Sequence, residues 1–366
     1  MRICFLADAG SVNTVTWANA FAVGLGHDVH VVSVNRKGEF AEPVMLHHLG
    51  GEAGTKDTFG KLGYLRSIRR IRRIVEEIAP DVLVGYRVAS YGYVGARTGF
   101  RPLVVVAQGQ YIITPKRSIP KRIFAMTAIR EADLLHSWAP HVTERLVELG
   151  ADPGKILTCH RGIDIARFSP DESVARVPRS LVVTRNLNRW YRIDTIIRAV
   201  ALARKELGDV TATIAGEGDF ADGLREVADE SGVGDAVEFP GRVPHAELPG
   251  LLRRRSLYVS AVRTDGVSAS LLEAMATGCF PIVCDNAANR HWVENGVNGL
   301  LVAGDEPERY AEAIVAAMRD DELREKAARL NRSIVEERAD STKNMRAIER
   351  AYEGLVNGTT LRERRT

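Results

Sequence analysis

The sequence lacks the marks of several classes of protein. Aromatic residues make up only 6% of its 366 residues, and none of its four cysteines forms a C-x-x-C pair. No apolar run approaches the roughly 20 residues that span a bilayer. The first stretch, MRICFLADAG, has too short an apolar core for a signal peptide and is predicted to form a strand. The expected class is a cytoplasmic globular protein with reduced thiols.

Signatures of bound cofactors are missing as well. The sequence contains no G-x-G-x-x-G motif, which argues against an enzyme that transfers hydride with a dinucleotide. It contains no D-x-D motif and no His/Cys cluster with metal-ligand spacing, so neither a metal nor another cofactor is expected. The nine histidines are scattered along the chain, and none of them is given a role.

What is present is an alternation of short apolar runs with helical segments, which is typical of parallel α/β sheets. A chain of this length exceeds the size at which one core keeps growing. We predict two Rossmann-like, doubly wound domains facing a central cleft, residues 1–168 and 169–344. The polar segment RGIDIARFSPDESVARVPRS links them, and a helix at about 345–366 crosses back to the first.

Six strands are predicted in each domain. In the first they are Ile3–Ala7, Val29–Val34, Val82–Gly85, Leu103–Val106, Leu134–Ser137 and Lys155–Cys159. In the second they are Leu181–Thr184, Val210–Ala215, Ala236–Phe239, Leu257–Ser260, Phe280–Cys284 and Leu300–Val302. Because open α/β sheets bind ligands at the carboxyl ends of their strands, the loops that follow these strands are the candidate sites.

Positive charge is concentrated in the first half. The first 170 residues hold 22 Lys and Arg against 15 Asp and Glu, although the whole chain has a net charge of only +3. Much of this charge lies in RSIRRIRRI and TPKRSIPKRIF, with Arg66, Arg69, Arg70, Arg72, Arg73, Lys116, Arg117, Lys121 and Arg122. The first stretch predicts an amphipathic basic helix, which either docks on an anionic membrane surface or is a solvated face. Nucleic-acid binding is not expected, because aromatic residues are not interleaved with the basic ones.

Three arginines follow the first strand of the second domain in VVTRNLNRWYRID. Arg185 ends the strand, and Arg189 and Arg192 precede a helix that is capped near Asp194. Guanidinium groups at this end of a strand suit a diphosphate, since each can clamp two oxygens. The alternative is a loop with ordinary surface arginines.

The next strand is followed by a glycine-rich turn, IAGEGDF. It contains Gly216, Glu217 and Gly218. Two glycines permit either a sharp turn close to a base or ribose, or a plain connection between a strand and a helix.

The stretch RTDGVSASLLEAMATGCFPIVC is the most informative. Asp265 and Glu273 are eight residues apart, and Gly266, Val267 and Ser268 form a loop before a helix. Backbone N–H groups at the helix start can cradle a diphosphate, and two carboxylates can accept bonds from the hydroxyls of a sugar and a ribose. The alternative is a cap and a helix-face carboxylate, although a carboxylate on so apolar a helix needs partners.

In the first domain, the loop DAGSVNTVTW joins the first strand to a helix. It contains Gly10, Ser11 and Asn13. Gly10 would let the backbone approach a ligand, and the helix start favours an anion. A plain turn with Ser and Asn capping explains the pattern equally well.

The order of these motifs resembles glycosyltransferase family 4 (glycosyl transferases of group 1), retaining enzymes with the two-Rossmann GT-B architecture. The ordered set is Arg185 after a strand, AGEG, LPGLLRRRSLYVSAVRTDG, LLEAMATGCFPIV and VENGVNGLLV. The linker HRGIDIARFSP is similar to the hinge of the family, and GLGHDVHVVS is similar to its second strand. The resemblance covers nearly the whole chain.

The resemblance implies a metal-independent transfer of a hexosyl unit from a nucleotide-diphosphate sugar to a glycan, a lipid-linked or a small-molecule acceptor. It implies that Asp265 binds sugar hydroxyls and that Glu273 binds the ribose. Arg185, with either Arg189 or Arg192, would neutralise the departing diphosphate.

Three positions depart from the family pattern. The first acidic residue, usually Glu, is Asp265, and the Lys of the EKG motif is absent from RWYRID. After the fourth strand, the HG pair of many members is replaced by Gln108 and Gly109. A Gln can hydrogen-bond a sugar but cannot act as a general base. In the family, front-side attack guided by the leaving phosphate explains retention, so the absence of the His need not abolish activity. Gln108 is therefore kept as a candidate catalytic residue.

Two other functions fit the same architecture. A nucleotide-sugar 2-epimerase would release the epimeric sugar nucleotide without an acceptor, and a non-catalytic module would bind a sugar nucleotide without transfer. The expected location is the cytoplasm, with peripheral attachment to the inner face of the membrane.

Overall fold

The computed structural model describes residues 1–35, 37–49, 63–108 and 119–358. The chain divides into two compact units: Met1–His160 with the segment that starts at Met345, and Arg161–Asn344. The first unit thus ends before residue 168, where the predicted boundary lay. The reason is that Ile163 and Phe168, in the linker, are buried in a hydrophobic cluster of the second unit.

The first unit contains a parallel sheet of seven strands among its described residues. They are β1 (Arg2–Leu6), β2 (Asp28–Ser33), β3 (Val44–His48), β4 (Val82–Tyr86), β5 (Leu103–Ala107), β6 (Leu134–Ser137) and β7 (Ile156–Thr158). Their order is β3-β2-β1-β4-β5-β6-β7, so the winding reverses between β1 and β4. The edge strand β3 is an addition to the predicted set.

Helices join these strands. The helices described are α1 (Val12–Asn19), α2 (Gly63–Ile78), α3 (Tyr93–Thr98), α4 (Ile119–Glu131) and α5 (Pro140–Glu148). The buried face of α2 carries Ile71, Val75 and Ile78, as its i, i+4, i+7 spacing requires.

The second unit contains a parallel sheet of six strands. They are β8 (Ser180–Thr184), β9 (Thr211–Ala215), β10 (Val237–Gly241), β11 (Leu257–Ser260), β12 (Phe280–Cys284) and β13 (Leu300–Val302). Its helices are α6 (Ile193–Leu207), α7 (Ala221–Glu230), α8 (Leu248–Arg253), α9 (Ala269–Ala276), α10 (Ala287–Arg290), α11 (Pro307–Arg319) and α12 (Asp321–Arg338). The order β10-β9-β8-β11-β12-β13 places the switch of winding between β8 and β11.

Both faces of the second sheet are covered. Because side chains alternate along a strand, Val183 joins the cluster that includes residues of α6 and α11, and Val182 joins the cluster that includes residues of α9. The inner strands β8, β9, β11 and β12 are buried on both faces and read as continuous apolar runs, which explains why their positions were predicted to within one residue. The two doubly wound α/β sheets confirm the predicted fold class.

The last described helix, α13 (Ser341–Val356), packs against the first unit. The hydroxyl oxygen of its Tyr352 is 2.9 Å from Nδ1 of the buried His136. Nε2 of the same histidine is 2.7 Å from the Cys159 carbonyl oxygen. Since a carbonyl only accepts, Nε2 donates to it and Nδ1 accepts from the tyrosine. Burial lowers the pKa of His136 to about 4, which keeps the ring neutral in this role.

Within the described part of the chain, no helix combines the length and the apolar character that a bilayer crossing requires.

Candidate functional site

The loops after β8 and β11 meet at the switch point of the second sheet. Arg185 follows β8, and its Nη2 donates to Asp265 Oδ2 at 3.0 Å and to the hydroxyl of Ser268. The other oxygen of Asp265 accepts from the backbone N–H of Gly266 at 2.8 Å. Three of the residues singled out in the sequence are therefore in direct contact, in the crevice where open α/β sheets bind ligands.

Arg185 is enclosed by aromatic residues as well as by acidic ones. Its guanidinium carbon lies 5.3 Å from the ring centroid of Tyr191. Burial alone would lower the pKa of Arg185, but the oxygens of Tyr258, Asp265 and Tyr191 outweigh it and raise that pKa above its ordinary value. The side chain is thus a permanent, oriented positive charge.

The N-terminus of α9 is tied to this cluster by its cap. Ser268 accepts a hydrogen bond from the backbone N–H of Leu271 at 3.1 Å, and Ser270 donates to the Thr184 carbonyl oxygen at 2.8 Å. The helix start is therefore fixed against the end of β8. Its positive end lies beside Arg185, so that two sources of positive potential coincide.

Glu273 lies one helix turn further along α9 and is only 7% exposed. Its Oε1 is 3.2 Å from Nε2 of His245, which precedes α8. The partner that a carboxylate on an apolar helix was expected to need is therefore a histidine to which the sequence gave no role.

The two glycines after β9 approach the protein's own backbone. A Cβ on Gly216 would overlap the carbonyl oxygen of Arg185, and one on Gly218 would lie 2.8 Å from the backbone nitrogen of Leu187. Leu187 donates its N–H to the Glu217 carbonyl oxygen at 2.8 Å. These glycines thus let the AGEG turn hold the loop that carries Arg185.

The other two arginines have different partners. Arg189 stacks on Phe220, with its guanidinium carbon 4.0 Å from the ring centroid. Arg192 has a left-handed backbone, with φ 53, and pairs with Asp305, which also pairs with Arg263. Within the described residues, no contact brings either arginine to Arg185, so the choice of the second diphosphate ligand stays open.

The sequence profile described as "Glycosyl transferases group 1" matches residues 168–333, and that described as "Glycosyl transferase 4-like" matches residues 2–139. The chain belongs to the group 1 glycosyltransferases of family 4. The first profile spans the whole cluster around Arg185 and Glu273.

Curated relatives of the chain match over part of their length. The D-inositol 3-phosphate glycosyltransferase 1 of Catenulispora acidiphila is 31% identical over 219 residues, which are 55% of this chain and 52% of that protein. A GDP-mannose-dependent alpha-(1-6)-phosphatidylinositol monomannoside mannosyltransferase of Mycobacterium tuberculosis is 27% identical over 43% of this chain and 46% of its own. The chain thus spans about half the length of each of these relatives.

Solved structures match over nearly the full chain. The Anabaena protein HepE in complex with UDP has a TM-score of 0.80 at 20% identity and covers 97% of this chain and 100% of its own. Sucrose-phosphate synthase from Thermosynechococcus elongatus has a TM-score of 0.83 at 15% identity, covering 98% and 100%. At these identities the likeness shows the fold, which is the GT-B architecture.

The candidate loops of the first domain follow β1 and β5. Gly10 donates its N–H to Asp8 Oδ1 at 3.0 Å, and Ser11 precedes α1 without a side-chain cap bond. Asn13 is exposed on α1, and Gln108 directly follows β5, half-buried. Gly109 lies outside the described residues.

Three residues of this region were not singled out from the sequence: His245, Tyr191 and Asp305. Each contacts a residue that the sequence did single out: Glu273 for His245, Arg185 for Tyr191, and Arg192 for Asp305. The only early signal was physical, because a buried carboxylate requires a donor.

Proposed function

We propose that the chain is a retaining glycosyltransferase that moves a hexosyl unit from a nucleotide-diphosphate sugar to an acceptor. The observation that carries the proposal is the convergence of Arg185, Asp265 and Ser268 beside the N-terminus of α9. A fixed guanidinium and a helix start suit a diphosphate, and a carboxylate next to them suits sugar hydroxyls.

Arg185 acts on the leaving group. When the bond between the anomeric carbon and the diphosphate oxygen breaks, negative charge collects on the diphosphate, and a preorganised cation lowers the free energy of that state. Nη2 of Arg185 donates to Asp265 and Ser268, and we propose that another N–H of the same guanidinium donates to a phosphate oxygen. We propose that this arginine takes the place that a metal ion has in other transferases.

The two carboxylates then hold the donor on either side of the diphosphate. Asp265 has both oxygens engaged, but each oxygen has a second lone pair that can accept from a sugar hydroxyl. Glu273 accepts from the ribose. Attack by the acceptor from the face that the phosphate leaves would retain the anomeric configuration, with Gln108 hydrogen-bonding the sugar.

Donor and acceptor classes are suggested by the relatives. HepE was crystallised with UDP, and the two curated relatives are named for an inositol phosphate and for a phosphatidylinositol mannoside. We propose an acceptor of the glycan, lipid-linked or small-molecule class that carries negative charge, since the first half of the chain is basic.

We expect one nucleotide family to raise the melting temperature. The measurement is a thermal-shift screen against UDP, GDP, ADP, dTDP and their common sugar conjugates, because a ligand that binds only the folded state must stabilise it. The donor that binds is then incubated with candidate acceptors, and the anomeric configuration of the product is read by NMR.

The same screen separates the competing functions. Retained configuration with nucleotide diphosphate release supports the proposal, and an inverted product contradicts the retaining mechanism. Release of an epimeric sugar nucleotide without an acceptor would indicate the 2-epimerase. A melting shift without any turnover would indicate a non-catalytic binding module.

We further propose that the first unit docks on an anionic membrane surface through α4. Ile119, Ile123 and Met126 are 75%, 55% and 46% exposed and follow the i, i+4, i+7 spacing of one helix face. The exposed Lys121 and Arg122 flank them. An apolar face bordered by cations suits the boundary of anionic headgroups and acyl chains.

The helix α2 also contributes positive charge to the first unit, because Arg69, Arg70, Arg72 and Arg73 are all exposed. Arg70 donates to the Leu49 carbonyl oxygen and Arg72 to that of Thr98, which anchors these two side chains without removing their charge. Lys116, Arg117 and the side chain of Arg66 lie outside the part of the chain that the structure describes.

The double variant Ile123→Glu, Met126→Glu is expected to bind vesicles containing phosphatidylglycerol about tenfold more weakly, because it replaces apolar contact with like-charge repulsion. Flotation or sedimentation with vesicles measures the change. The matched control is Leu330→Glu, an exposed leucine of the second unit. Equal binding by all three proteins would exclude this face as the docking surface.

A further inference from the structure

We propose that His245 is a positioning residue that fixes the carboxylate of Glu273, and that the nucleotide site thereby selects ribose over 2′-deoxyribose. The inference rests on the proposed nucleotide-sugar function and assigns to that site a residue that neither the motifs nor the comparisons single out.

The His245 side chain is held from three directions although it is 59% exposed. Nε2 is 3.2 Å from Glu273 Oε1, and Nδ1 is 3.3 Å from Nη1 of Arg167. The ring centroid lies 5.2 Å from that of Phe168, which is fully buried. An exposed histidine of purely surface character would not need three partners from two separate segments of the chain.

These contacts determine which nitrogen carries the hydrogen. A guanidinium can only donate, so Nδ1 of His245 accepts from Arg167. The ring hydrogen is then on Nε2, where it donates to the Glu273 carboxylate. Arg167 and His245 thus form a relay that delivers one directed N–H to Oε1 and leaves Oε2 of Glu273 for a ligand.

Fixing the carboxylate in advance affects how well it discriminates between ligands. A free glutamate samples several rotamers, and a ligand that orders it loses part of its binding free energy in doing so. With Glu273 already ordered by His245, a ribose hydroxyl gains the full charge-assisted hydrogen bond. A 2′-deoxy analogue cannot make this bond, so the difference in affinity between the two sugars depends on His245.

Two variants separate the hydrogen bond from the packing. His245→Phe keeps a ring beside Phe168 but has no N–H, whereas His245→Gln keeps an N–H donor at about the place of Nε2. The dissociation constants of UDP, GDP and ADP and of their 2′-deoxy analogues are measured by calorimetry. For the base that binds, the wild type is expected to prefer the ribonucleotide about tenfold.

His245→Phe is expected to reduce this preference to about twofold, and His245→Gln is expected to restore most of it. Glu273→Ala should abolish the preference, and adding His245→Phe to it should change nothing further, because the histidine acts through the glutamate. Melting temperatures of all variants report folding.

Two results would overturn the inference. If His245→Phe weakens the ribo and 2′-deoxy ligands by the same factor, His245 has only a structural role, and the proposed function is untouched. If the wild type binds a nucleotide without preferring ribose, Glu273 is not the ribose ligand. Failure of the wild type to bind any of these nucleotides would overturn the proposed function together with the inference.

Discussion

Replacing Arg185 by Met is expected to lower kcat for sugar transfer by a factor of about 10²–10³, with a smaller change in donor affinity. Loss of one preorganised donor to a developing negative charge typically costs this much. The side chain is oriented by Asp265, Ser268 and Tyr191, so its charge requires no rearrangement when the diphosphate departs. Steady-state kinetics and donor binding by calorimetry measure the two effects separately.

The matched control for this prediction is Arg198→Met. Arg198 lies on α6 of the same unit and pairs with Asp194 at 2.9 Å on the surface, where such pairs contribute little. We expect wild-type kcat for this variant. A drop in kcat/KM caused only by weaker donor binding in Arg185→Met would contradict a role in the departure of the diphosphate. If the melting temperature of Arg185→Met falls as well, the cause is the carboxylate of Asp265, which loses its ion pair with Arg185 in this variant.

The four inner strands of the second sheet, β8, β9, β11 and β12, were predictable because they are buried on both faces. Their apolar, β-branched runs are separated from one another by glycine, proline and charged residues, so that the position of each strand follows from the sequence alone. The edge strand β3 was missed because it is not buried on both faces. Its sequence VMLHH has only three apolar residues before two half-buried histidines. Nε2 of His47 lies 2.8 Å from Nδ1 of His30 in β2. A contact of this kind between two strands cannot be recognised from the sequence of either strand.

The position of Arg185 and Asp265 was predictable, but their partners were not. Both residues follow strands, and the strand order of a doubly wound sheet brings those ends together. The pairs of Glu273 with His245 and of Arg192 with Asp305 join segments far apart in the sequence. Side-chain packing decides which surface loops approach each other, and it produces no periodic pattern of residues in the sequence.

The AGEG turn illustrates the same limit. The two glycines were interpreted either as room for a base or ribose or as a plain connection between a strand and a helix, and a Cβ on either would collide with the backbone of Arg185 or Leu187. A sequence shows that a position needs glycine but not which atoms approach it. Here the close neighbour is the loop that carries Arg185, so these glycines affect the ligand through that loop.

The variant Gly216→Ala is accordingly expected to lower kcat/KM by a factor of about 10 to 100 through displacement of Arg185. The added Cβ overlaps the Arg185 carbonyl oxygen, a backbone atom that cannot rotate away. Separating the two loops strains the bond from Leu187 N–H to the Glu217 carbonyl and shifts the guanidinium relative to Asp265. Misplacement by about 1 Å is enough for a loss of this size. Donor kinetics give the change.

Gly250→Ala is the matched control for that prediction. Gly250 lies in α8, and a Cβ there meets no atom within 4 Å. Alanine in a helix interior is favoured over glycine by about 1 kcal/mol, so this variant should melt no lower than the wild type and transfer sugar at the same rate. Gly216→Ala should also be destabilised by about 1–3 kcal/mol, as expected for an overpacked site. If it retained wild-type kinetics despite that loss of stability, the approach of the AGEG turn to Arg185 would matter for folding alone, and the turn would have no part in positioning the guanidinium.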